Sequence, residues 1–297
     1  MGSLNVWQAR GNTAAWVAAA VNAMLTVIKV VVGICAGSRA LVADGLHSAA
    51  DLVSSAVILV ALNVSQRPAD REHPYGHGKA ESLAAKLLAL MLFVTAAKIA
   101  WDALVAMVQG GGPCPGGVAL WVAALSAVTK EGMFRYKMWV GRHLRSPALI
   151  ASAWEHRSDA WSSVAVLAGI TGARWGYAWL DPLASLLVAA FIAKMGWRLG
   201  REAIADLMDS LDDPVLLQKL RNVAETVPAV VDVDDLRARR MGRQLLVDIK
   251  IGVDPNLSVQ AGHAAARQVK EAILQAEPRV IDVMVHVNPH PLRQSLH

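Results

Sequence analysis

Thr13–Cys35 reads TAAWVAAAVNAMLTVIKVVVGIC, with Lys29 as the single charge in the run. A helix of this length crosses a hydrocarbon core about 30 Å thick. Its apolar residues form a block and do not recur on one helical face, as they would in an amphipathic helix on a soluble core. Similar blocks follow at 39–64, 83–108, 116–140, 146–172 and 178–199. Six transmembrane helices are the economical reading. Composition agrees: the chain is 55% hydrophobic and 18% charged, where soluble domains carry about 25% charged residues. Its mean hydropathy is +0.37. No signal peptide is expected, because the mixed residues ahead of Thr13 lack an apolar core and a small-residue cleavage site.

The formal charge of +5 is explained by topology, so no nucleic-acid partner is expected. Arg67, Arg71 and Lys79 fall between the second and third blocks, and Arg135, Lys137, Arg142 and Arg145 between the fourth and fifth. The opposite loops carry only Arg39 and Arg174, with no cation in Gln109–Gly117. The positive-inside rule then puts both termini in the cytoplasm. Cys35 and Cys114 make neither a metal-binding pair nor a disulfide framework, although both fall near outer span ends.

Past Arg201 the composition turns polar, and the chain divides into a membrane domain, 1–205, and a cytoplasmic domain, 206–297. Asp213-Pro214 opens a helix. Strands are expected around 231–239 and at Val247–Val253, where Val247, Ile249, Ile251 and Val253 alternate with polar residues. A helix at about 258–276 and a strand at about 280–287 complete an α-β-β-α-β order, a small α+β domain of ferredoxin-like type.

Ionisable groups inside spans each cost about 2.5–3.5 kcal/mol on insertion scales and so need a reason. The second span holds Asp44, His47 and Asp51; the fifth holds Glu155, His156 and Asp159. His47 and Asp51 are four apart, as are Glu155 and Asp159, so each pair shares a helix face. Two such pairs could surround one cation with four donors, as first-row metals require. A lone histidine in a bundle is more often a packing residue, but two matched pairs are harder to explain that way. Lys29, Lys98, Asp102, Lys130 and Glu131 are given no ligand role, since long side chains near an interface snorkel outward. Asp181-Pro182 reads as a helix cap and first turn. No HExxH is present, and no catalytic residue, enzyme activity or tightly bound cofactor is expected.

With these pieces in place, the sequence resembles the cation diffusion facilitator family of metal/proton antiporters. The resemblance is carried by ADGLHSAAD at 43–51, DREHPYGHGK at 70–79 and WEHRSD at 154–159. It implies a homodimeric efflux transporter for a divalent metal (Zn, Fe or Mn), exchanging metal for protons in a lipid membrane. The transport site it implies is His47, Asp51, Glu155 and Asp159, with His156 as the alternative to Glu155. Glu155 stands where the family usually has His, giving an oxygen-rich set. This variant, with Val253–Leu257 of the tail, looks most like the magnetosome-membrane members. That places the chain in the inner membrane or a magnetosome-type vesicle membrane. The resemblance also implies a loop site at Asp70, His73 and His77, and weak metal binding in the tail at Asp234, His263 and His286, with Asn288 where an acid is common. Lys79 and Asp209 match an ion pair of the family. An assembly protein with a structural or sensory metal site is the alternative reading.

Overall fold

A computed structural model describes residues 2–143, 147–242 and 244–290; the loop cation Arg145 lies outside them. The chain runs α1 (Gly2–Ala36), α2 (Arg39–Ser65), α3 (Ala80–Val108), α4 (Gly117–His143), α5 (Pro147–Arg174), α6 (Leu180–Leu207), α7 (Pro214–Glu225), β1 (Asp232–Met241), β2 (Gln244–Val253), α8 (Val259–Ala276) and β3 (Val280–Pro289). It forms two compact units, 1–57 with 88–198 and 58–87 with 199–297.

Among the described residues, four helices are long and apolar enough to cross a membrane: Ala19–Ala36 within α1, and α2, α3 and α6. The other two expected spans are helices α4 and α5, of 27 and 28 residues. Their charges keep them below that apolar standard: Lys130, Glu131, Arg135 and Lys137 in α4, and Glu155, Arg157 and Asp159 in α5. Many outward-facing positions of the first unit are apolar, with Met24, Val27, Val31, Leu90, Val94, Trp121 and Val128 all exposed. A surface of that kind calls for lipid or protein to cover it.

In this unit, α4 packs along α5 and against α1. α1 ends at Gly37, whose φ of 69° suits the left-handed residue that closes a helix, with Ser38 N donating to Gly33 O at 3.0 Å. The returning helix then runs very close to α1. A Cβ on Gly45 would lie 2.7 Å from the Val30 side chain and 3.2 Å from Lys29 Cβ. The missing side chain is what lets Lys29 approach Asp44. Asp181 does not cap its own helix. Its carboxylate accepts from Ser38 Oγ at 2.6 Å, Arg39 N at 2.8 Å and Ala40 N at 3.3 Å. It therefore caps the first turn of α2, satisfying amides that have no partner within that helix.

The α+β part of the second unit follows the expected order. Asp213 caps α7 by accepting from Leu216 N at 2.9 Å, with Pro214 in the first turn. Ser258 caps α8 in the same way. The sheet order is β1-β2-β3, with β1 antiparallel and β3 parallel to β2. The β2–α8–β3 crossover thus joins immediate neighbours, and three strands make the sheet. Val247, Ile249, Ile251 and Val253 face a core with Val283, Val269 and Ile273 of β3 and α8, and Leu216 and Leu220 of α7.

Candidate metal centre

The ligand atoms of His47, Asp51 and Asp159 all lie within 4.8 Å of one another. His47 and Asp51 stand one turn apart on α2, and α5 brings Asp159 to them, with Oδ1 3.7 Å from His47 Nε2. His47 is buried, and its Nδ1 has no hydrogen-bond partner among the described residues. Asp51 has no ion-pair partner among the described residues. An imidazole and two carboxylates converging inside helices offer the donor types that a divalent metal cation takes.

Glu155 does not join the three; its residue is exposed on α5. His156 is buried, but its Nε2 lies 2.8 Å from Lys137 Nζ, and its Nδ1 is 4.0 Å from Asp159 Oδ2. With the lysine donating, Nε2 is taken and the proton sits on Nδ1, which has no hydrogen-bond partner among the described residues; in that tautomer His156 offers no free lone pair to metal.

Two lysines that the sequence assigns to snorkelling are instead buried ions. Lys29, with no exposed side chain, lies 2.7 Å from Asp44 Oδ2 and donates to Ser48 Oγ at 3.3 Å and Ser163 Oγ at 3.4 Å. Asp44 also accepts from Ser163 Oγ at 2.9 Å. Lys130, equally buried, lies 2.6 Å from Asp159 Oδ2. Lys130 and Lys137, seven apart, share one face of α4 and meet Asp159 and His156 of α5 respectively. Lys98 is the lysine that stays exposed, paired with Asp102 at 2.6 Å. Helix face separates these cases: Lys29 and Lys130 are turned toward Asp44 and Asp159 of neighbouring helices, whereas Lys98 pairs along the exposed face of its own helix.

The loop candidates also come together. Asp70, His73 and His77 have ligand atoms within 4.8 Å of one another. Asp70 Oδ1 accepts from the amides of Glu72 at 2.9 Å and His73 at 2.7 Å, and the His73 amide holds its carboxyl below the usual carboxylate range. His77 Nε2 lies 3.4 Å from Asp70 Oδ2. In the same unit Lys79 meets Asp209 at 2.9 Å. That hydrogen bond depresses the Asp209 carboxyl and braces a residue whose φ is +58°, a conformation aspartate tolerates better than most.

The tail candidates are not brought together within one chain. His286 alternates with Val285 and Val287, which pack on the core, so it lies on the open face of the sheet. His263 is exposed on α8, the helix that covers the other face. Asp234 sits where the β1–β2 register slips and accepts from Asn288 Nδ2 at 2.7 Å.

These features define a class: a multi-pass membrane protein with histidine and carboxylate groups inside its helices that could hold a metal ion. Residues 15–208 match the cation efflux transmembrane domain and residues 213–290 the cytoplasmic domain of cation efflux proteins. The chain belongs to the cation efflux, or cation diffusion facilitator, family, whose members are transporters and not enzymes. It is 34% identical to the magnetosome protein MamB of Magnetospirillum gryphiswaldense over 276 residues, covering 93% of each chain. It is 35% identical to the manganese efflux system protein MneP of Bacillus subtilis over 93% of this chain and 95% of that one. It is 37% identical to metal tolerance protein 2 of Oryza sativa subsp. japonica over 93% of this chain and 78% of that one.

Proposed function

We propose that this chain exports a divalent first-row metal ion in exchange for protons, through a site formed by His47, Asp51 and Asp159 with Glu155 as fourth donor. The convergence of the first three within 4.8 Å, inside helices, is the observation that carries the reading. Glu155 lies one turn before Asp159 on α5, so a side-chain rearrangement suffices to bring it in, whereas His156 is held by Lys137. Three oxygens and one nitrogen form a harder donor set than an imidazole-rich one, which favours Mn(II) or Fe(II) over Zn(II). The manganese-efflux relative in Bacillus subtilis supports that order. Proton exchange follows from the ligands themselves: carboxylate and imidazole bind metal only when deprotonated, so protons arriving from the far side displace it.

All six long helices cross the membrane in this reading. At 1.5 Å per residue α4 and α5 reach about 40 Å, and Lys130 and Lys137 of α4 are turned toward α5. Lys and Arg in the 66–79 and 135–145 segments put both termini in the cytoplasm, with a membrane domain of 1–205 and a cytoplasmic domain of 206–297. The tail assembles two chains into a homodimer, as its match to the cytoplasmic domain of cation efflux proteins supports. Asp70, His73 and His77 form an accessory site on the cytoplasmic side, and the tail histidines bind metal weakly. The membrane is the cell's inner membrane or a vesicle derived from it.

The test is uptake of Mn(II) and of Zn(II) by proteoliposomes carrying an imposed pH gradient. Uptake should be metal-dependent and should slow when the gradient is collapsed; a rate indifferent to the gradient overturns proton exchange. In the same assay Glu155→His, which restores a nitrogen donor, should raise the Zn(II) to Mn(II) uptake ratio several-fold. An unchanged ratio would remove Glu155 from the site.

A further inference from the structure

Among the described residues, Lys130 is the one lysine or arginine in contact with the transport triad. Its ammonium lies 2.6 Å from Asp159 Oδ2, fully buried, on the carboxylate whose other oxygen faces His47 at 3.7 Å. α4 fixes this placement from its own side, since Lys137, two turns on, is held at 2.9 Å by Ser152 Oγ and at 2.8 Å by His156 Nε2. Lys29, as deeply buried, is not comparable. It is matched by Asp44, Ser48 and Ser163 and does not touch the triad.

The charge count of the pocket follows. The two converging carboxylates and a neutral imidazole carry a charge of −2 toward a divalent ion, or −3 with Glu155 drawn in, and Lys130 reduces either figure by one. A dication at the triad and the ammonium draw on the same carboxylate and repel one another, with little water between them to screen the repulsion. A carrier must hold its ion firmly enough to load and weakly enough to release. A fixed positive charge on a ligand is a direct way to weaken the hold.

We infer that Lys130 is a built-in rival cation of the transport site: it competes with the divalent cargo for Asp159, and so sets the site's affinity low enough for release. It is a positioning and affinity-setting residue, not a ligand. The inference rests on the reading of His47, Asp51 and Asp159 as the cargo site.

The experiment measures Mn(II) binding and Mn(II) uptake for the full-length protein and its variants. Lys130→Gln keeps a hydrogen-bond donor facing Asp159 and removes the charge. It should bind Mn(II) about tenfold more tightly or better, about 1.4 kcal/mol, while maximal uptake falls and KM falls with it. Lys130→Arg, which keeps the charge, should not tighten binding. A merely structural lysine gives the opposite pattern, weaker binding and slower uptake together, and that result overturns the inference. So does a Lys130→Gln protein with unchanged affinity. Should Lys130→Gln fold poorly, its thermal stability is read with and without Mn(II). A rival cation predicts a larger metal-induced rise than in the wild type, and an equal or smaller rise counts against it. If Asp51→Ala and Asp159→Asn both bind and carry metal normally, the site reading itself fails. If they lose metal and Lys130→Gln binds no tighter, only the rival-cation inference fails.

Discussion

Asp44→Ala should cost the folded protein about 3–5 kcal/mol, because it strands the ammonium of Lys29 in the interior without its counter-ion. The side chains of both residues are almost wholly inaccessible, at 0% and 2%, with 2.7 Å between the charged atoms. The Ser48 and Ser163 hydroxyls that also reach Lys29 cannot neutralise it. Thermal unfolding of the detergent-solubilised protein checks this, with Lys29→Met combined with Asp44→Ala as the companion. Removing both charges should recover most of the lost stability, since a buried pair replaced by apolar groups is often neutral or better. If the single variant is as stable as the wild type, the ammonium reaches water or lipid headgroups after all.

Asp159→Ala should fail twice, and the two failures should separate. Transport should fall to background because the triad loses a donor, and stability should fall by about 3–5 kcal/mol because Lys130 is left buried and alone. Adding Lys130→Met to Asp159→Ala should restore stability without restoring transport. Unfolding curves and Mn(II) uptake on the same preparations give both readouts. A double variant that regains transport would place the carrier site elsewhere. One that stays as unstable as the single variant would mean that Asp159 supports the fold by more than its pairing with Lys130.

The sequence made the helices and the tail elements legible because each rests on a local signal. Asp213-Pro214 and Ser258 mark helix starts by capping, and the alternation at Val247–Val253 marks a strand by its period. The His47/Asp51 pair was legible for the same reason, since a four-residue spacing puts two side chains on one face whatever surrounds them. What pairs across helices was not. Lys29 and Lys130 read as snorkelling residues because nothing local says which face of α1 or α4 is covered. Asp181 read as a cap for its own helix because sequence shows the first turn of α6 and not the start of α2 beside it. The same limit applies to Glu155 and His156. They are neighbours in sequence, but a step of 100° around α5 leaves one exposed and turns the other toward Lys137. In the tail, His263 and His286 are brought by helix and strand to opposite sides of the sheet, a separation that residue type alone does not disclose.

The most direct measurement is Mn(II) binding and uptake by Asp51→Ala beside the wild type. Asp51 is the triad residue whose carboxylate has no ion-pair partner among the described residues, so its loss strands no buried charge. Binding is titrated on protein whose loop site has been silenced by His73→Ala and His77→Ala. The Asp51→Ala protein should unfold at close to the wild-type temperature, lose binding at the remaining intramembrane site, and carry Mn(II) at less than about one hundredth of the wild-type rate, a loss of at least about 2.7 kcal/mol. Wild-type binding and wild-type flux in that variant would contradict the assignment of the site.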